Sequence, residues 1–348
     1  MKFYKQIAFI LIVFFKTETL LSENNLFNVN NILLEKKEKI TNIALANKAI
    51  KNGFNQLTTR ILLDEDKKKL STLDFLEIKK LVTYYQVTND IEKNENKELL
   101  NFSVTFDKSK IHDLFYRKAI LYSEILDKEL YIIPLLVRND EINIFNNNFF
   151  YENWNKINKD DLLEFILLLE NIEIIQNINS NKKNLINLKF ENLFKEYLNK
   201  NLALVLIEGE NEDNIKVYIK SKIQGKNISK SLNIKNKDNN LEKYYENIIK
   251  EIKKELTNLV KSENLIDIRT PSFLNVKLDL NKKSNLVELN KRIKKIDLID
   301  NLNVQEFNKD YMLLRIKYLG KLEKIIDQLQ KERINLELTN DQWIIKTL

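Results

Sequence analysis

The sequence predicts an α+β chain of three small modules with antiparallel sheets, the first and last laid out as ferredoxin-like β-α-β-β-α-β units. Three observations carry this. Apolar residues alternate with polar ones in short runs, as at Phe102, Val104 and Phe106 and again at Leu274, Val276 and Leu278, the two-residue period of a half-buried strand. Between such runs the apolar spacing lengthens to three and four residues, the period of a helix lying on a sheet. Only 4 Gly and 2 Pro occur in 348 residues, which excludes collagen-like and Pro-rich architectures.

The N-terminus reads as an address. Lys2 and Lys5 precede an unbroken apolar run, Ile7–Phe15, closed by Lys16 and Glu18. Charge followed by a short apolar run is the pattern of a secretory signal, and a spanning helix needs about 20 apolar residues. Residues 1–22 are therefore expected to be a signal peptide cleaved near Ser22, or an uncleaved signal anchor, and the protein to be periplasmic.

The first module is expected over residues 23–150. Ile43, Ala46, Ile50, Phe54, Leu57 and Ile61 form one helical stripe. Strands follow at Leu81–Thr88 and Leu99–Phe106, joined across polar Asn89–Glu98, then a helix at Ile111–Ile125. The continuous apolar run Leu130–Val137 reads as the fourth, buried strand, with Pro134 placing it at an edge or bulge. A connecting segment, 151–181, holds a short helix at Asp160–Leu169 and a polar break at Asn177–Asn184.

The middle module, 182–265, is expected to run helix Leu185–Leu198, strands near Leu202–Glu208, Ile215–Ile223 and Ile228–Ile234 with turns at Gly209 and Gly225, and a long helix from Leu241 to Val260. The last module, 266–348, repeats the first layout. Strand Phe273–Leu280 leads to helix Leu286–Ile296, strands Leu298–Phe307 and Tyr311–Tyr318, helix Leu322–Leu329 and a terminal strand or hairpin at Ile334–Ile345.

Composition removes several chemistries. No Cys is present, so disulfides, thiolate nucleophiles and zinc fingers are excluded. The single His, His112, removes Ser-His-Asp machinery and multi-histidine metal sites, and without a second base it reads as a surface or helix-capping residue. Asp64-Glu65-Asp66, followed by Lys67–Lys69, reads as a solvated turn, and Asp160-Asp161 as acids at a helix start. No catalytic residue, cofactor site or metal site is therefore assigned. The net charge of +7 is uneven. Residues 23–181 hold 21 basic and 25 acidic side chains, and residues 182–348 hold 33 and 24, so the C-terminal half could meet an anionic surface or partner.

One surface stands out. If Leu274, Val276, Leu278, Met312, Leu314 and Ile316 face the helices, then Phe273, Lys277, Tyr311, Arg315 and Lys317 share the opposite face. Aromatics and cations on an open sheet are how some domains hold single-stranded nucleic acid, with Lys291, Arg292, Lys294 and Lys295 adding charge nearby. That makes a nucleic-acid binder the alternative to an interaction protein, although an exported protein seldom meets RNA.

The stretches ALANKAIKNGFNQLTTRIL (Ala44–Leu62), LNFSVTFDKSKIHDLF (Leu100–Phe115), YIIPLLV (Tyr131–Val137) and LALVLIEG (Leu202–Gly209) resemble an uncharacterised proteobacterial envelope family, domain-of-unknown-function family 2066. The chain has Leu62-Leu63 where that family tends to have a Gly, and Ile133 where it has an Arg before the proline. The resemblance implies an envelope location and brings no catalytic residue. The expected function is that of an exported, non-enzymatic interaction or scaffold protein. Its expected partners are other envelope proteins, with peripheral membrane contact through the signal or the basic half.

Overall fold

Thr41 starts the long helix of the N-terminal region, its hydroxyl accepting the Ala44 amide at 3.2 Å and so satisfying a first-turn donor. The computed structural model describes residues 26–36, 41–88, 99–125, 127–139, 141–157, 162–211, 214–236, 240–280 and 286–347. The expected signal at residues 1–22, the polar connection Asn89–Glu98 and the acids Asp160 and Asp161 lie outside them. The chain divides into two units, one from Met1–Tyr122 with Leu265–Leu348 and one from Ser123–Asn264, in place of the expected boundaries at 150/151 and 181/182.

The first unit begins with β1 (Asn28–Glu35), α1 (Asn42–Ile61), α2 (Asp64–Lys68), α3 (Phe75–Lys80), β2 (Val82–Thr88), β3 (Leu99–Phe106) and α4 (Lys108–Lys118), and the chain leaves it at β4 (Tyr122–Ser123). β3 lies between β1 and β2, antiparallel to both. Its Leu100, Phe102, Val104 and Phe106 are buried, and α1 lays Leu45, Ala49, Ile50, Phe54, Leu57 and Ile61 into the same core. Gly53 lets helix and sheet approach closely, since a Cβ there would stand 3.1 Å from Ile32 Cδ1 and 3.4 Å from Val104 Cβ. The helix expected at Ile111–Ile125 stops at Lys118. Ala119 adopts the left-handed conformation (φ 50°) and turns Ile120 and Tyr122 into the core.

The second unit runs β5 (Glu129–Arg138), β6 (Glu141–Asn143), α5 (Phe149–Asn153), β7 (Glu164–Leu167), α6 (Ile172–Ser180), α7 (Phe190–Leu193), β8 (Asn201–Asn211), β9 (Asn214–Ile223), β10 (Lys226–Lys235) and α8 (Leu241–Glu263). The strand expected to complete the N-terminal sheet is β5. It belongs here, parallel to β8 from Leu130↔Asn201 to Val137↔Glu208, so the N-terminal sheet has three strands among the described residues. The reason is burial on both faces. Leu130, Ile132 and Leu136 feed one core with Val205, Ile207 and the α8 residues Ile248, Ile252 and Leu256. Ile133 and Leu135 feed a second core with Leu204, Leu206, Ile178 and Phe194. A continuous apolar strand needs a sheet covered on both sides.

Pro134 is not at a sheet edge. β7 pairs with residues 129–132 of β5 and β6 with residues 136–138, and Pro134 occupies the gap between them, where its missing N–H removes no ladder bond. Four further expectations change in this unit. The helix expected to end at Leu169 is the strand β7. The first half of the polar break expected at Asn177–Asn184, up to Ser180, is part of α6, because the Asn177 and Asn181 amides donate to the carbonyls of Glu173 (2.9 Å) and Asn177 (2.8 Å) and so hold the last turns. The long helix expected at Leu185–Leu198 is reduced to α7 between two short 3₁₀ turns. Gly209 lies within β8 beside a register shift, whereas Gln224 (φ 50°) and Gly225 (φ 80°) make the two-residue β9–β10 turn, the mirror-image type that needs positive φ at both positions.

The chain returns to the first unit with β11 (Leu265–Ile266), β12 (Ser272–Asp279), α9 (Leu286–Ile293), β13 (Ile299–Phe307), β14 (Tyr311–Tyr318), α10 (Leu322–Lys331), β15 (Ile334–Thr339) and β16 (Gln342–Thr347). The sheet order is β13-β14-β12-β16-β15. β12 is antiparallel to β14 and parallel to β16, so the expected four-stranded unit has a fifth strand, from the hairpin that turns at Asn340 and Asp341 (φ 47° and 60°). The chain is thus mixed α+β with several antiparallel pairings. Among the described residues no helix is long and apolar enough to cross a membrane.

Candidate interaction face

The two-residue period of β12 and β14 decides which side chains share a face. Leu274, Val276, Leu278, Met312, Leu314 and Ile316 are buried in a core with Leu289 and Ile293 of α9 and Ile325 and Leu329 of α10. The intervening residues point the other way, and the structure brings Phe273, Lys277, Tyr311, Arg315 and Lys317 together as expected. The register sets Phe273 opposite Lys317 and Asn275 opposite Arg315, with Asn303 of β13 on the far side of Arg315.

These groups interact with one another. The Arg315 guanidinium lies 4.2 Å from the Phe273 ring centroid and the Lys277 ammonium 4.8 Å from that of Tyr311, cation–π contacts that bridge diagonal positions on the pair of strands. Lys277 also pairs with Asp279 at 3.2 Å and Lys317 with Asp300 at 2.7 Å, while the Tyr311 hydroxyl donates to Glu306 at 2.9 Å. The face is therefore a lattice of alternating charges with two rings each covered on one side by a cation. The partners Asp279, Asp300 and Glu306 were not singled out in the sequence. Strand alternation alone could have found Asp279, which shares the parity of Lys277, whereas Asp300 and Glu306 depend on how β13 is registered across its bulges.

The basic segment of α9 does not join this face. Its helix packs against the core side of the sheet, and Arg292 pairs with Glu288 at 3.0 Å and donates to the Arg333 carbonyl at 2.9 Å. Lys295 lies 3.6 Å from Glu332.

His112 is neither a surface residue nor a cap. Asp107 caps α4, accepting the Lys110 amide at 3.2 Å. His112 is buried beside Phe27 (ring centroids 5.6 Å apart) and Tyr122 (5.4 Å), because α4 turns the side bearing Ile111 and Phe115 to the core. Burial, joined by the charge of Lys108, lowers its pKa to about 4, with Asp300 acting in the opposite sense. Nearby, Lys108 donates to the Asp297 carbonyl at 2.5 Å, and burial raises the Asp297 carboxyl, partly offset by Lys108 and by a backbone bond from Leu26. Asp64-Glu65-Asp66 forms the first turn of α2, with Asp64 and Glu65 exposed as expected and Asp66 buried with Lys69 at 2.5 Å. Among the described residues no group of three His, Asp or Glu is placed to hold a metal ion.

A second surface feature lies beside β2. Ile43, Ala46, Tyr85, Val87, Leu100 and Phe102, with Lys36 and Asn42, line a cavity of about 370 Å³, a surface for apolar burial.

No family model and no curated protein matches the sequence. One solved structure, described as the crystal structure of an uncharacterized protein, is similar over 41% of this chain and 95% of its own, at 10% identity and a TM-score of 0.17, a likeness that carries no argument.

Proposed function

We propose that the chain is an exported interaction protein of the cell envelope, acting in the periplasm by binding rather than by catalysis. The observation that carries the binding part is the face of β12 and β14. Phe273, Tyr311 and Arg315 stand on a rigid sheet, fixed by register and by cation–π contacts, and aromatic and arginine side chains so held are typical anchors of protein–protein contacts. The export part rests on Lys2, Lys5 and the apolar run Ile7–Phe15. Membership of domain-of-unknown-function family 2066 would fit that location and belongs to the same proposal.

A ferredoxin-like ancestry for both parts of the first unit is also proposed. It is supported by a shared strand order, since the third strand of each lies between the first and second: β1-β3-β2 and β12-β14-β13. Among the described residues no strand takes the fourth position in the first part, and the β15–β16 hairpin takes it in the last.

Cell fractionation with sequencing of the mature N-terminus tests the reading. A periplasmic protein that begins near Glu23, or that keeps its N-terminus in the inner membrane, supports it. A cytosolic protein retaining Met1 overturns it and favours nucleic acid as the ligand of the same face.

A further inference from the structure

Resting on the reading of β12–β14 as an interaction face, we propose that its occupant is an extended peptide segment presenting one carboxylate, an Asp or Glu side chain or a chain terminus, to Arg315. Charge complementarity favours this occupant. The face holds three cations. Lys277 has Asp279 at 3.2 Å and Lys317 has Asp300 at 2.7 Å, whereas Arg315 has no carboxylate partner among the described residues, and its Nε is buried with no hydrogen-bond acceptor. The guanidinium carbon lies 4.2 Å from the Phe273 ring centroid, and this contact holds the side chain in place, so less of its freedom is lost on binding. Exposed Asn275 and Asn303 flank it on the two neighbouring strands, where their amides can add hydrogen bonds to whatever the guanidinium holds.

A guanidinium fork meets a carboxylate through two parallel N–H···O bonds. A single-stranded nucleic acid fits less well. Its phosphates repeat along the strand, and the same face carries Asp300, Asp279 and Glu306 beside Lys317, Lys277 and Tyr311, so successive phosphates would meet carboxylates. The rings that would stack on bases also carry Arg315 and Lys277 on one side.

The test is an NMR titration of the full-length ¹⁵N-labelled chain with the blocked peptide acetyl-Ala-Glu-Ala-amide, taken to millimolar concentration, with acetyl-Ala-Gln-Ala-amide as the neutral control. The Arg315 Nε–H resonance is assigned by its loss in Arg315→Lys, and unchanged signals elsewhere in that variant show that it folds. The expected result is a saturable shift of Arg315 Nε–H and of the Asn275 and Asn303 amides with the Glu peptide only, weakened about tenfold in Arg315→Lys, where a point charge replaces the fork. Equal shifts with the Gln peptide, no shift at these three residues, or unchanged affinity in Arg315→Lys would each overturn the proposal. Tighter saturation of the same resonances by oligothymidylate would replace it with the nucleic-acid reading. Because the titration is independent of where the protein resides, a failed titration of a protein that fractionates with the periplasm removes the ligand class and leaves the export reading standing.

Discussion

The side-chain amide of Asn148 donates to the carbonyl of Pro134 at 2.9 Å, closing the gap in the β5 ladder that the proline requires. Asn148 has no solvent exposure, and the same amide reaches the carbonyls of Asn143 (3.0 Å) and Ile144 (2.9 Å) while its oxygen accepts the Phe150 and Tyr151 amides. One side chain thus caps α5 and satisfies the backbone on which two cores converge.

Replacing Asn148 by Ala leaves three carbonyls and two amides without these partners. A buried unsatisfied polar group costs about 1–3 kcal/mol, and water entering the vacated space recovers part of the loss. The expected destabilisation is therefore about 3 kcal/mol, read as a lower urea midpoint. A change below about 1 kcal/mol would show that the network is not needed.

Gly53 separates two opposing effects. Gly→Ala in a helix interior gains about 1 kcal/mol of propensity, and the added methyl meets Ile32 and Val104 at 3.1 and 3.4 Å. Gly53→Ala is expected within about 1 kcal/mol of the native protein. Gly53→Val adds branched carbons at the same contact and is expected to cost about 2–3 kcal/mol more. Equal stability of the two variants in thermal unfolding would mean that α1 is free to move away from the sheet.

His112 makes stability depend on pH. Its folded pKa of about 4 lies below the ordinary value of 6.5, so between these values the unfolded chain binds a proton that the folded chain does not. Stability contributed by the neutral ring is full above 6.5, falls as pH drops, and is lost below about 4, a change on the order of 3 kcal/mol. Asp297, raised by burial, acts in the opposite direction, because the folded state takes up its proton first. Denaturation of His112→Leu beside the native protein across this range isolates the histidine: the variant is expected to lose less stability on acidification. Parallel curves would contradict the burial of the ring.

Arg315 and Phe273 should also be coupled in stability. A double-mutant cycle through Arg315→Ala, Phe273→Ala and the pair is expected to give about 0.5–1 kcal/mol of interaction, the range for a partly exposed cation–π contact. Additive single effects would mean that the guanidinium does not rest on the ring in solution.

Much of the fold follows from local pattern. The boundaries of β3 at Leu99 and Phe106, and the division of β12 and β14 into core and outer residues, come from a two-residue period that needs no tertiary information. The face built on Phe273, Lys277, Tyr311, Arg315 and Lys317 was legible for the same reason. The charge state of that face was not, because Asp300 reaches Lys317 across a bulged strand pair whose register no local rule provides. Asn-rich segments misled in the opposite way. Asn177 and Asn181 resemble a break, yet their amides bond back onto the last turns of α6, where no helix was expected.

The sequence by itself determined that Leu130–Val137 is a buried strand and that the last segment alternates core and surface. Only the tertiary structure decided that β5 pairs with β8 rather than with the N-terminal sheet, that His112 is buried against Phe27 and Tyr122, and that, among the described residues, Lys277 and Lys317 have carboxylate partners and Arg315 has none. Periodicity reports how many sides of a segment are covered. Which segment does the covering depends on pairing between residues some seventy positions apart, as Leu130 is from Asn201, and that choice is made by fitting whole surfaces together.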